Sequence, residues 1–276
     1  MQDIPPTEFA PTWKWWLPPN YSSYGEEIDT LYYWIFWITM VTFVLVEGAL
    51  VWFCFKYRRD PARKAIYTHG NHRLEVLWTV IPAVILVALG VLSSSTWAKI
   101  KNQADPNYPT EFQTTVRIVA QQFAWNVTYP GADGRFDTDD DFTKKNALNV
   151  PYEPTDAEGN TLREENVRIM LSSMDVIHSF FCPVLRLKQD AVPGYVGNVW
   201  FDARKRPTSP GPDRQYFTDD DEVYEVACAE LCGLGHWQMR MQLKALPRDV
   251  FDEWVARESA EAKAAAAARP AGNSGK

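Results

Sequence analysis

Two long apolar runs near the N-terminus restrict what this chain can become more than any other feature. Leu31 to Phe55 is 25 residues with one charge, Glu47, and Val76 to Trp97 is 22 residues with none. A helix needs about 20 apolar residues to cross a bilayer core, so each run is long enough to span. Tyr32, Tyr33, Trp34, Trp52, Tyr57, Trp78 and Trp97 cluster toward the ends of the runs, where amphipathic rings sit at headgroup level. The connecting loop carries Lys56, Arg58, Arg59, Arg63, Lys64 and Arg73. The segment before the first run has Asp3, Glu8, Glu26, Glu27 and Asp29 against a single Lys14. The excess of Lys and Arg puts the loop in the cytoplasm and both chain ends outside. Met1-Gln-Asp-Ile-Pro-Pro lacks a basic stretch leading into an apolar core, so it does not read as a signal peptide. Pro82 is expected to disturb the second helix unless a neighbouring helix compensates, and two helices this apolar call for a larger membrane partner.

Two carboxylates in this region stand out. Glu47 is the one ionisable residue deep in a span. Such residues are costly and default to a functional reading, the alternative being a protonated carboxyl hydrogen-bonded to a neighbouring helix. Glu75 opens the second span, where the helix N-terminal dipole favours a carboxylate.

Beyond Trp97 the pattern changes to short strand-like runs: Val116-Arg-Ile-Val-Ala, Phe123-Ala-Trp-Asn-Val-Thr-Tyr129, Val167-Arg-Ile-Met-Leu and Val223-Tyr-Glu-Val-Ala. Clusters of Pro, Gly, Asn and Asp separate them. Regular short strands with turn signals predict a sandwich or Greek-key barrel. Pro247 is expected to start a short helix through Phe251 and Trp254, followed by an Ala-rich, disordered tail. The expected division is an outer N-terminal segment 1–30, a transmembrane hairpin 31–97, a folded outer domain 98–257 and a disordered tail 258–276. The net charge of −7 argues against nucleic-acid binding. Four cysteines do not make a disulfide scaffold, and Cys54 and Cys182 read as small buried side chains.

The chemistry is concentrated in Cys228-Ala-Glu-Leu-Cys232-Gly-Leu-Gly-His236-Trp-Gln-Met239. Thiolate and thioether donors with imidazole favour copper or zinc over magnesium or calcium. Two cysteines four apart can point into one site and bridge two ions. Zinc has no use for a thioether, so Met239 tilts the reading to copper electron transfer. A further strong ligand is needed. The chain has four histidines, two of which, His69 and His72, lie in the basic loop, so His178 is the natural donor.

Cys-x-Glu-x-Cys-x3-His-x2-Met, with Met174-Asp-Val-Ile-His178-Ser and Asp190-Ala-Val-Pro-Gly194 before it, resembles the dinuclear copper (CuA) domain of subunit II of haem–copper cytochrome c oxidases. The resemblance covers roughly residues 25 to 255. It implies a chain that is mainly β with an α-helical membrane anchor, in which a two-helix transmembrane hairpin precedes a Greek-key β-barrel of the cupredoxin type. It further implies that Cys228 and Cys232 bridge two coppers. His178 and Met239 complete one of them, and His236 with the backbone carbonyl of Glu230 completes the other. The Glu230 side chain would then face a magnesium ion at the interface with subunit I, in keeping with magnesium's preference for carboxylate oxygen. By the same resemblance Glu75, in Leu74-Glu-Val-Leu-Trp-Thr-Val-Ile-Pro82, marks the mouth of a proton path into subunit I. Electrons from a c-type cytochrome would pass through this chain to haem in subunit I for reduction of O2 to water. The expected partners are subunit I, subunit III, lipid and a c-type cytochrome donor, membrane-bound or part of a supercomplex. The expected location is a bacterial inner membrane, with both termini and the CuA domain on the periplasmic side. No Cys-x-x-Cys-His is present, so no c-type haem is expected on this chain.

Alternatives are a structural zinc site, a membrane-anchored copper-delivery protein, and the equivalent subunit of a copper-containing nitric oxide reductase. The first leaves Met239 unexplained, and the second has no need of two spans fused to a barrel. The chain also departs from the family. Most relatives read Gln-Trp-x-Trp where this chain reads Gln122-Phe123-Ala124-Trp125. Phe123 and Trp125 are therefore expected to take the place of the usual tryptophans that receive electrons. Apparent insertions lie at Lys205-Arg-Pro-Thr-Ser-Pro-Gly-Pro-Asp213 and near Asp137–Asp141. Acidic runs at Asp137–Asp141 and Asp219–Glu222 are expected either to steer a basic cytochrome or to be solvated loops.

Overall fold

The computed structural model describes residues 17–64, 66–156, 158, 160–204, 213–217, 221 and 223–268. Most of the Lys205–Asp213 insertion, three residues of the second acidic run and the chain's two ends lie outside them.

Two units form. Glu26–Tyr108 is the helical one, and the β domain also takes in the described residues before Glu26. Helix α1 runs Gly25–Lys56 and α2 runs His72–Lys101, so both outreach the apolar runs that predict them. Asn71 caps α2, its side chain accepting from the N–H groups of Arg73 and Leu74. The helices run antiparallel. Glu27 in the first turn of α1 accepts from Lys99 at 2.7 Å and from Thr96 at 3.2 Å near the end of α2. Pro82 lies within α2, which stays helical on either side of it. Cys54 is exposed on α1 rather than buried, as are most of the apolar side chains of this helix.

The β domain has ten strands: β1 Thr114–Gln121, β2 Ala124–Tyr129, β3 Phe142–Lys145, β4 Ala147–Pro151, β5 Val167–Ser173, β6 His178–Cys182, β7 Leu187–Ala191, β8 Gly197–Phe201, β9 Tyr224–Cys228 and β10 Arg240–Leu246. They form two five-stranded sheets, ordered β3-β2-β1-β5-β8 and β4-β10-β9-β6-β7. The β1–β5 and β4–β10 pairs are parallel and the others antiparallel. The sandwich or Greek-key barrel expected from the strand pattern is thus built as two facing sheets. Strict alternation makes the core. Val116, Ile118 and Ala120 of β1 and Val167, Ile169 and Leu171 of β5 are buried, while their neighbours are not. Trp125 of one sheet meets Phe180 of the other edge to face. Cys182 is fully buried among them, and burial pushes its thiol up to about 12. It is structural, as its sequence context implies.

The segment before α1 belongs to this domain. Tyr21 N donates to Val184 O, Arg204 N donates to Tyr21 O, and Asp202 accepts from Ser23 N.

Helix α3 spans Arg248–Ala267. The short helix ending near Trp254 and the disordered tail expected from residue 258 are both corrected as far as Ala267. Alanine is the best helix former, and this helix is anchored beyond Trp254. Glu258 pairs with Lys144, and the buried Ser259 bonds Asp140 and Ala132 N.

Candidate metal centre

Strand direction gathers the sulfur and imidazole ligands at one end of the sandwich. His178 opens β6, Cys228 closes β9 and Met239 immediately precedes β10. Antiparallel pairing sets Phe180 opposite Cys228. Cys228 N donates to Met239 O and Ala229 N to Ser179 O, so the loop 229–238 is pinned at both ends to the strands beside it.

Within this frame the donors converge. The Sγ atoms of Cys228 and Cys232 are 3.8 Å apart. Nδ1 of His178 is 3.9 Å from Cys228 Sγ, and Nδ1 of His236 is 3.5 Å from Cys232 Sγ. Met239 Sδ is 3.8 Å from Cys232 Sγ. One ligand atom each from His178, Cys228 and Cys232 lies within 4.8 Å of the others. Metal–thiolate bonds run about 2.3 Å, so one ion can touch both sulfurs across this gap. Burial, reinforced by Cys228 alongside, pushes the Cys232 thiol up. A metal bound here must therefore displace protons. The Glu230 residue is exposed, and its carbonyl lies 3.2 Å from Cys228 Sγ.

A second layer holds these groups. His178 Nε2 faces Asp175 Oδ1 at 2.8 Å. Partial burial of Asp175 opposes its charge. Hydrogen bonds from His178 and from the N–H groups of Gln122 and Val176 nevertheless hold its carboxyl down to about 2. The Gln122 side chain donates to Cys232 O at 2.6 Å. Neither Asp175 nor Gln122 stands out in the sequence alone; the available signal is an acceptor three residues before His178.

Phe123 and Trp125 part company. Phe123 is 36% exposed and its ring lies on the metal loop. A Cβ on Gly235 would come within 2.5 Å of that ring, and one on Gly233 within 3.1 Å. Trp125 is fully buried, 6.2 Å from the His178 ring between centroids. Of the two residues expected at electron entry, only Phe123 is therefore accessible to a donor. The reason is the turn. Alternation along β2 sends Trp125, Val127 and Tyr129 inward, whereas Phe123 precedes the strand and turns away to the loop.

The acidic runs also change meaning. Strands β1 and β2 join beside the metal loop, so the β2–β3 connection holding Asp137–Asp141 lies at the other end of the sandwich. Its charges are used locally: Asp137 pairs with Arg117, Asp140 accepts from Ala132 N and Ser259, and Asp141 accepts from Asp137 N. Strand β9 runs toward Cys228, so Asp221, which precedes it, is also remote. Asp221 is buried against Lys244 at 2.5 Å. Steering of a donor to the metal loop by Asp137–Asp141 or by Asp221 is not supported by the topology. Glu75 sits in the first turn of α2, half exposed, with His72 Nδ1 3.6 Å away.

A two-helix membrane anchor joined to a β-sandwich with a sulfur-rich centre at one end defines the class. Residues 10–95 match the family described as cytochrome c oxidase subunit II, transmembrane domain. Residues 114–246 match the corresponding periplasmic domain. A probable cytochrome c oxidase subunit 2 of Rickettsia bellii is 31% identical over 88% of this chain and 84% of its own length. Cytochrome c oxidase subunit 2 of Alkalihalophilus pseudofirmus is 32% identical over 75% of this chain and 51% of its own. The solved periplasmic domain of subunit II of cytochrome oxidase of Bradyrhizobium japonicum aligns with a TM-score of 0.40 at 22% identity, over 55% of this chain and 96% of that one. The chain belongs to the cytochrome c oxidase subunit II family. It is a component of a respiratory oxidoreductase complex, anchored in a membrane and carrying a periplasmic domain.

Proposed function

We propose that this chain receives electrons from a c-type cytochrome at a dinuclear CuA centre and delivers them to haem in subunit I. The observation that carries the proposal is the convergence of two thiols, two imidazoles and a thioether at one end of a rigid sandwich. Cys228 and Cys232 would bridge the two coppers, with His178, His236, Met239 and the Glu230 carbonyl completing them. Such a centre supplies one-electron transfer at low reorganisation cost. The protein's own contribution is to hold the ligands still. Strands β6, β9 and β10 fix their spacing, and Phe123 shields the loop on its outer side and offers an apolar contact to the donor. The buried thioether favours copper over zinc, whose sites use N, S and carboxylate donors. Electron paramagnetic resonance with metal analysis of the purified chain tests the reading. A single localised copper, or zinc, would sink it.

The remaining assignments are an inner-membrane location with both termini periplasmic, contact with subunits I and III, magnesium at the Glu230 carboxylate and proton uptake at Glu75. The asymmetry of charge around the spans supports the orientation. Glu230→Gln should leave copper in place and weaken magnesium binding, because the substitution keeps the carbonyl and removes the carboxylate. Loss of copper from that variant would show that the side chain is the ligand. Glu75→Gln in the assembled oxidase should slow turnover severalfold while reduction of copper by the donor keeps its rate. Equal turnover across pH would reduce Glu75 to a partner of the helix dipole and His72.

A further inference from the structure

Asp175 lies in the turn between β5 and β6, three residues before His178. Its two carboxylate oxygens are divided between different tasks. Oδ1 faces His178 Nε2 at 2.8 Å and accepts from Val176 N at 2.7 Å, and Oδ2 accepts from Gln122 N at 2.7 Å. A carboxylate only accepts, so it selects the tautomer of His178 with hydrogen on Nε2. That leaves the lone pair on Nδ1, the nitrogen turned toward Cys228 Sγ. His178 is completely buried, so water cannot supply the alternative partner. Gln122 extends the linkage. Its backbone N–H holds Asp175 and its side-chain amide holds the Cys232 carbonyl, so one residue ties the histidine loop to the cysteine loop.

We propose that Asp175 is a positioning residue of the metal centre: it fixes the tautomer and orientation of His178 for the metal, tunes the centre through its negative charge, and couples the two ligand loops through Gln122. The proposal rests on the copper reading above. Partners on the second nitrogen of a ligating imidazole raise its basicity, and losing them costs about 10- to 100-fold in metal affinity. A fixed negative charge close to a redox site also favours the oxidised, more positive state by simple Coulomb attraction.

The two properties separate on substitution. Asp175→Asn can keep an acceptor oxygen toward Nε2 but loses the charge. Asp175→Ala loses both. In the purified full-length protein within its complex, the Asn variant should retain copper with a reduction potential above that of the unmutated protein. The Ala variant should hold copper about 10- to 100-fold more weakly and show an altered copper–nitrogen hyperfine pattern. A destabilised turn alone would not move the potential of the Asn variant, and that variant decides the matter if the Ala variant does not assemble. Copper content and spectrum of the unmutated protein are read first, and absence of copper there overturns the proposed function. Copper held with the same affinity and potential in the unmutated and variant proteins overturns the role of Asp175 and leaves the copper reading standing.

Discussion

Replacing either Cys228 or Cys232 by Ser is expected to abolish the dinuclear centre and, with it, oxidation of the cytochrome donor. The two sulfurs lie 3.8 Å apart, and each also neighbours an imidazole nitrogen of its own. Both are buried, so no solvent ligand replaces a lost thiolate. A serine hydroxyl is a harder donor and stays protonated, which suits neither the softness of copper nor the sharing of one ligand by two ions. Met239→Leu should behave differently. Met239 is buried, and leucine fills a similar volume, so the fold is kept. A thioether would be a weak ligand that adjusts the potential rather than holding the metal, so copper should remain while its potential moves. Metal analysis and electron paramagnetic resonance on the three variants check this together. A serine variant that keeps the full copper content with an unchanged spectrum would show that the cysteines do not bridge.

How much of this was readable beforehand depends on the distance over which each feature is encoded. The apolar spans and the sulfur motif are local: the spans are single runs, and Cys228, Cys232, His236 and Met239 fall within twelve residues. His178 is fifty residues away, yet elimination among four histidines reaches it. The four strands with clear alternation were legible. Short ones such as β3 and β7 were not, because four or five residues with charged members carry little periodicity. Placement of the acidic runs was not legible either. Which end of a sandwich a loop occupies depends on strand direction within the sheets, and that is a property of the whole topology. The separation of Phe123 from Trp125 failed for a related reason. Residues two apart share a face only while the strand continues, and β2 begins between them. The length of α3 was underestimated because an alanine-rich stretch reads as low complexity until Glu258 and Ser259 are seen to find partners in the sandwich.

Asp221 gives the second large expected effect, and it tests directly whether this acid serves the fold or a donor. Its carboxylate is buried against Lys244, itself nearly buried on β10, and also accepts from Phe217 N at 2.7 Å. Asp221→Ala would remove the carboxylate that faces the Lys244 ammonium inside the domain at 2.5 Å. Breaking a buried pair from one side costs about 3–5 kcal/mol. For a domain of this size each kcal/mol corresponds to roughly 2–4 °C in melting temperature, so a drop of about 10 °C is expected in thermal unfolding. Replacing both partners with apolar residues, as in Asp221→Leu with Lys244→Met, should recover much of the loss, since well-packed apolar residues often match a buried ion pair in stability. The rate of donor oxidation per copper, and its dependence on salt, should be the same in the folded fraction of these variants as in the unmutated protein. Docking through a charged rim would behave in the opposite way, raising association at low ionic strength and losing that advantage on neutralisation. A variant that keeps its melting temperature but oxidises the donor more slowly at low salt would return Asp221 to the docking surface. The Lys244 contact would then not be the reason this acid is there.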